Sequence, residues 1–190
     1  MEKCVVYLHG WRGNPEANTK KGLEVAFPGA KIVAFPIEYD TKELWRVELD
    51  LTVEILKVLQ HYRHDEVVIF GNSAGGFWAR HLASVFHTHL VMTNPSFDLA
   101  GNLAKYGVAE DVLAQYRDFH PSTGNELTCQ VFVSADDEVV DPAIAEQMFD
   151  DVTVLPGEGH RIQNLEPVIN KLKETLFNED IQDLPRRAVR

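Results

Sequence analysis

Apolar residues along this chain follow two alternating rhythms. Short, mainly apolar runs occur at residues 3–8, 31–35, 67–70, 89–93, 128–134 and 152–155, most of them bounded on at least one side by Gly, Pro, Asn, Asp or a charged residue. Runs of this length and composition predict strands buried on both faces. Between them apolar residues recur every three or four positions, most clearly at Leu44, Val47, Leu51, Ile55, Val58 and Tyr62, which predicts a long helix. Asp40 is placed to cap that helix, with Glu43 three residues on completing a box. Shorter helices are predicted over roughly 15–27 (Leu23, Ala26 and Phe27 inward), 74–86, 142–149 and 164–177. Residues 96–127 lack a strand signal, and their spaced apolar positions, Leu99 to Phe119, suggest one or two short helices. Strands alternating with helices predict an α/β domain with a parallel sheet and right-handed crossovers.

At 190 residues the chain suits a single domain, 1–190, with 96–127 as an excursion and 179–190 as a polar, fraying tail. Eighteen basic against 29 acidic side chains leave a net charge of −11, which argues against nucleic acid and anionic membrane as partners. Arg186, Arg187 and Arg190 form a small basic cluster that reads as a solvated terminus. The chain opens on a strand, without a basic-then-apolar leader or an apolar stretch of bilayer length, so a cytoplasmic location is expected.

Chemistry concentrates first at Gly71-Asn72-Ser73-Ala74-Gly75, between a strand and a helix. This is G-x-S-x-G in the strand–turn–helix context of a nucleophile elbow. The turn is sharp enough to force Ser73 into strained backbone and to exclude side chains at 71 and 75. A phosphate loop would need G-x-x-x-x-G-K-[ST] or G-x-G-x-x-G, and neither spacing is present.

A serine hydroxyl needs a general base, a group orienting that base, and donors for the oxyanion. On such sheets these follow in the order Ser, acid, His, on loops after later strands. Of eight histidines only His160 follows the last strand in a glycine-bordered loop; the other seven read as structural or solvated. Four acids crowd the loop after the fifth strand. Asp137 is favoured as the triad acid because the tight turn follows the strand directly, with Asp136 the main rival and Asp141 a weaker one. The oxyanion donors expected are the N–H groups of Ala74, at a helix start, and of Trp11, in the His9-Gly10-Trp11 turn after the first strand. His61/His64 and His87/His89 could each present two metal ligands, but no third accompanies them, so no metal is expected.

With these residues in view the sequence resembles the α/β-hydrolase superfamily, and within it the small YqiA/YcfP-like esterases. The resemblance rests on residues 5–11, 71–78, Asn94-Pro95, 137–141 and 157–160. It implies a minimal three-layer α/β-hydrolase fold with a six-stranded sheet in the order 2-1-3-4-5-6 and helices on both faces. It also implies cofactor-free carboxylester hydrolysis through Ser73, Asp137 and His160, on a small-molecule ester. Ala74 in place of a leucine, and Ile162 in place of an aromatic after the histidine, depart from the pattern and point to a reshaped acyl pocket. In the implied strand order Cys4 and Cys129 lie three strands apart, about 14 Å at ~4.8 Å per step, so two free thiols are expected. The other readings open at this point are a non-catalytic binding module on the same fold, and acyl transfer or thioester cleavage by the same triad.

Overall fold

The sheet consists of six parallel strands, β1 (Cys4–Leu8), β2 (Lys31–Ala34), β3 (Val67–Asn72), β4 (His89–Thr93), β5 (Thr128–Ser134) and β6 (Val152–Leu155). Their order is β2-β1-β3-β4-β5-β6. The structure is a computed structural model that describes residues 2–41 and 43–177. The tail expected at 179–190, with its arginines, lies outside the described residues.

Successive side chains of a strand point to opposite faces, and the strands divide accordingly. Cys4, Val6 and Leu8 of β1, Val67 and Ile69 of β3, Leu90 and Met92 of β4, and Val131 and Val133 of β5 enter one buried cluster. That cluster is covered by α2 (Leu44–Leu59), α3 (Ala74–Phe86), α4 (Leu99–Ala104), α5 (Glu110–Asp118) and α6 (Pro142–Met148). The alternate residues Val5, Tyr7, Val68, Phe70, Val91 and Phe132 face the other way, under α1 (Asn18–Ala26) and α7 (Glu166–Thr175). A three-layer α/β arrangement follows, as the parallel, twice-covered sheet requires.

Several boundaries differ from the sequence reading. The first helix begins at Asn18 rather than at Pro15, and the last spans 166–175 rather than 164–177. The capping box expected at Asp40 and Glu43 does not form. Glu43 occupies the N-cap position without a side-chain cap, and Asp40 accepts from Trp11 Nε1 at 2.6 Å instead. The first amide of α2, Leu44 N–H, is received by Gln115 Oε1 of α5 at 3.0 Å. A helix end needs donors satisfied, but not by its own neighbours in sequence. The excursion 96–127 forms two short helices, whose apolar residues Leu99, Leu103, Val112, Leu113 and Tyr116 sink into the core rather than projecting over a pocket.

Cys4 and Cys129 are free, and burial pushes their thiols up to about 11 and about 12. No helix among the described residues is long and apolar enough to cross a membrane.

Candidate active site

Parallel strands deliver their carboxyl ends to one edge of the sheet, and the loops leaving β1, β3, β4, β5 and β6 meet there. Ser73 stands between β3 and α3 with φ 54° and ψ −121°, a left-handed conformation that a non-glycine residue adopts only when its surroundings enforce it. Both its backbone groups are held. Ser73 N–H donates to Thr93 O at 2.9 Å, and Ser73 O accepts from Gly76 N at 2.9 Å and Ser96 N at 3.0 Å. The flanking glycines are required sterically. A Cβ on Gly71 would come within 2.5 Å of Gly75 O, and one on Gly75 within 2.1 Å of Leu8 O, so the turn closes on itself and against the end of β1.

Ser73 Oγ lies 2.8 Å from His160 Nε2. His160 Nδ1 lies 2.9 Å from Asp137 Oδ2 and 3.0 Å from Oδ1. Asp137 Oδ1 also accepts from the amides of Val139 at 2.8 Å and Val140 at 2.9 Å. Burial works against the charge on Asp137, but the imidazole N–H and the two amides outweigh it and hold the pKa below the usual carboxylate value. An ionised carboxylate only accepts, so Nδ1 carries the ring proton. In the neutral ring, Nε2 then presents its lone pair to the Ser73 hydroxyl. The Asp137 side chain is 2% exposed and that of His160 15%, so the relay is shielded behind the imidazole and open in front of it.

The acidic loop after β5 sorts itself into separate tasks. Asp137 meets the imidazole, whereas its rival Asp136 is exposed. Glu138, which nothing in the sequence distinguishes from a solvated acid, accepts from His160 N–H through Oε2 at 2.9 Å. That bond is the main reason its pKa is lowered. Asp141 accepts from Ala143 N at 2.9 Å and caps α6.

Asn94 entered the sequence reading only as part of the resemblance, and its role is visible only in the structure. It is fully buried at the end of β4 with φ 43°. Its Nδ2 donates to Ser134 Oγ at 2.9 Å, His160 O at 2.8 Å and, more weakly, Gly159 O at 3.2 Å. Its Oδ1 accepts from Ser134 N at 2.7 Å. One side chain thus ties β4, β5 and the histidine loop together. The available signal was its position, an asparagine before proline at a strand end where left-handed backbone is tolerated.

The turn after β1 approaches the serine closely, since a Cβ on Gly10 would stand 3.1 Å from Ser73 Cβ. Gly10 O is clamped by His9 Nδ1 at 2.8 Å and Gly13 N at 2.9 Å. In a trans peptide the next N–H points opposite to that carbonyl, so the clamp fixes the direction of Trp11 N–H. His9 Nε2 accepts from Ile37 N at 3.1 Å, and burial lowers the imidazole pKa, keeping the brace neutral. The indole of Trp11 lies against Tyr106, 4.6 Å between centroids with the planes tilted by 37°, and the Arg12 guanidinium sits 4.1 Å over its ring. Ala74, at the start of α3, is buried beside the serine, while Ile162 packs toward the α1/α7 layer.

The remaining histidines with ring partners serve structure. His81 bonds Glu48 and Ser122 N, His64 bonds Phe86 O, and His87 bonds Asn125 O. His89 bonds Thr128 and Asp65 O. A recess of about 540 Å³ lined by Tyr62, Arg63, His64 and His87 lies beside the amino ends of β3 and β4, the edge of the sheet opposite Ser73.

Residues 4–177 match a family described as "Uncharacterised protein family (UPF0227)". The UPF0227 protein YcfP of Salmonella paratyphi A is 22% identical over 182 residues, which cover 89% of this chain and 96% of that protein. Among solved structures, Est1E from Butyrivibrio proteoclasticus superposes with a TM-score of 0.70 at 14% identity, over 93% of this chain and 87% of that one. The mouse alpha/beta hydrolase domain-containing protein 10 gives 0.69 at 14% identity, over 90% and 88%. Likeness of this kind speaks to the fold, which is that of the α/β hydrolases.

Proposed function

We infer that this chain, which belongs to the UPF0227 family and carries the α/β-hydrolase fold, is a serine hydrolase acting on small or short-acyl carboxylic esters. The observation that carries the reading is the unbroken relay from Ser73 Oγ through His160 to a buried, ionised Asp137. A serine held at φ 54° with its hydroxyl 2.8 Å from an imidazole nitrogen is strained and paired as a nucleophile needs to be, and an ordinary turn serine gains nothing from either.

Ser73 Oγ attacks the ester carbonyl carbon as His160 Nε2 takes the hydroxyl proton. Asp137 holds the imidazolium that forms. The carbonyl oxygen becomes an oxyanion and receives the Ala74 N–H, aided by the helix dipole of α3, and the Trp11 N–H. Collapse of the tetrahedral species breaks the C–O bond, and His160 gives its proton to the departing alcohol. Water then attacks the acyl-enzyme with His160 again as base, which releases the acid and restores Ser73. Neither half-reaction calls on a metal or cofactor. The excursion 96–127 is too short for a large lid and its two helices sink into the core, which favours small substrates.

Turnover of p-nitrophenyl acetate by wild type and Ser73→Ala tests the reading, with an acyl-chain panel to follow. Loss of activity by about 10³-fold or more, together with covalent labelling of wild type alone by a fluorophosphonate, is the expected result. Undiminished turnover in Ser73→Ala, or a serine inert to the probe in folded protein, overturns it in favour of a binding module. Ester exchange onto added alcohols or thiols that outpaces hydrolysis would assign acyl transfer instead.

A further inference from the structure

A helix lying on a sheet turns its apolar side inward and its polar side to water, and α2 does only the first. Leu44, Val47, Leu51, Ile55 and Val58 are buried on the sheet. On the outward side, however, Trp45 is 62% exposed, Leu49 51%, Val53 40% and Leu56 48%. At 100° per residue these four fall within about 80° of one another and run almost the full length of the helix. Single exposed apolar residues are ordinary, but a continuous stripe containing a tryptophan marks a surface that something covers.

We propose that this face of α2 docks against the same face of a second copy of the chain, antiparallel about a two-fold axis near the helix midpoint. The charges beside the stripe select that occupant and that direction. One flank of α2 carries an acid–base pair near each end, Glu43–Arg46 at 3.4 Å and Glu54–Lys57 at 2.6 Å. In an antiparallel, two-fold pairing the same flank of each helix meets its own copy. The register that sets Trp45 opposite Leu56 of the second copy, and Leu49 opposite its Val53, also brings Arg46 level with the second copy's Glu54. Lys57 comes level with the second copy's Glu43. Apolar stripe and charge pairs therefore agree in register to within about one residue, with Asp50 of each copy meeting at the axis as the one like-charge contact on that flank. A parallel two-fold pairing would set this flank against the opposite flank of the second copy, where neither of these pairs can form. An anionic lipid surface is the poorer partner, because the chain carries a net charge of −11 and Asp50 and Glu54 lie on the same flank.

The size of the contact sets its strength. Sixteen residues make a helix about 24 Å long, and one helix pair of that length buries on the order of 1,000 Å², the lower edge for a specific interface. The dimer is accordingly a weak, reversible one.

Sedimentation velocity of the full chain from about 1 to 200 µM tests the assignment. Wild type should pass from monomer to dimer. Leu49→Asp should stay monomeric throughout with an unchanged melting curve, since Leu49 faces solvent in the single copy. Arg46→Glu should weaken association by about fivefold, and Arg46→Glu combined with Glu54→Arg should recover it. Wild type monomeric over the whole range overturns the proposal, as does association that survives Leu49→Asp. Leu49-dependent binding of a monomeric chain to phosphatidylglycerol–phosphatidylcholine vesicles overturns it in favour of a membrane surface. None of these readouts depends on Ser73 being a nucleophile.

Discussion

Removing the Asn94 side chain should loosen the histidine loop and slow the reaction while leaving substrate binding nearly intact. Asn94→Ala deletes the acceptor for the buried Ser134 N–H and the donor that reaches Ser134 Oγ, Gly159 O and His160 O. An unpaired buried amide costs about 1–3 kcal/mol, and the orphaned carbonyls somewhat less. Alanine at φ 43° adds about 1 kcal/mol that asparagine partly avoids. The sum, about 2–4 kcal/mol, corresponds to a fall of roughly 5–15 °C in Tm for a domain of this size. His160 should lose part of its alignment with Ser73 Oγ, and a displacement near 1 Å costs about 100-fold in rate, so kcat should fall by roughly 10- to 100-fold with KM little changed. Asn94→Gly separates the two contributions: it relieves the backbone strain and recovers about 1 kcal/mol of stability, but it leaves kcat as low as in the alanine variant. Differential scanning calorimetry and p-nitrophenyl acetate kinetics on the three proteins decide the matter. An Asn94→Ala protein that melts lower yet keeps wild-type kcat would show that the side chain braces the sheet edge without positioning the base. Full recovery of kcat in Asn94→Gly would assign the defect to strain.

Three further outcomes follow from the same coordinates. The pKa of Asp137 is depressed in the fold, so its contribution to stability is complete above the unfolded carboxylate pKa of about 4 and is lost as the pH falls below it. Urea midpoints of wild type and Asp137→Asn should therefore converge under acid and separate above about pH 5. Burial, with Lys3 nearby, pushes the His89 imidazole down to about 4, so between about pH 6.5 and 4 the unfolded chain binds a proton that the folded chain refuses. Stability should fall through that window by at most ~1.4 kcal/mol per pH unit, and His89→Gln should flatten the slope in urea titrations at successive pH values. A methyl group at position 75 would sit 2.1 Å from Leu8 O, whereas one at position 29 meets nothing within 4 Å. Gly75→Ala should thus cost more than about 3 kcal/mol or fail to fold, while Gly29→Ala stays within about 0.5 kcal/mol of wild type by thermal melting.

Much of this architecture is local in origin, and so it can be read from the chain. The apolar runs at 67–70 and 90–92, the three-to-four spacing from Leu44 to Val58, and the glycines at 71 and 75 each encode their element within a few residues. The elbow is the extreme case, because the steric demand that selects its glycines arises inside the turn itself, with the end of β1 as the wall. The order of Ser73, Asp137 and His160 is likewise written along the chain, since a parallel sheet sends each of those loops to the same edge.

What pattern could not supply is the choice among chemically equal partners far apart in sequence. Asp40 looked like the cap of α2, yet its carboxylate takes the indole of Trp11, 29 residues away, and the helix's first amide goes to Gln115, 71 residues away. Glu138 and Asp136 are indistinguishable as neighbours in an acidic loop. Only the path of the loop after β6 puts the His160 amide in reach of one of them. Asn94 gains its meaning from partners 40 and 66 positions downstream. Local propensity is settled by a residue and its near neighbours. A hydrogen bond between distant loops exists only once packing has brought the two together, and for that reason the brace around the imidazole belongs to the tertiary structure alone.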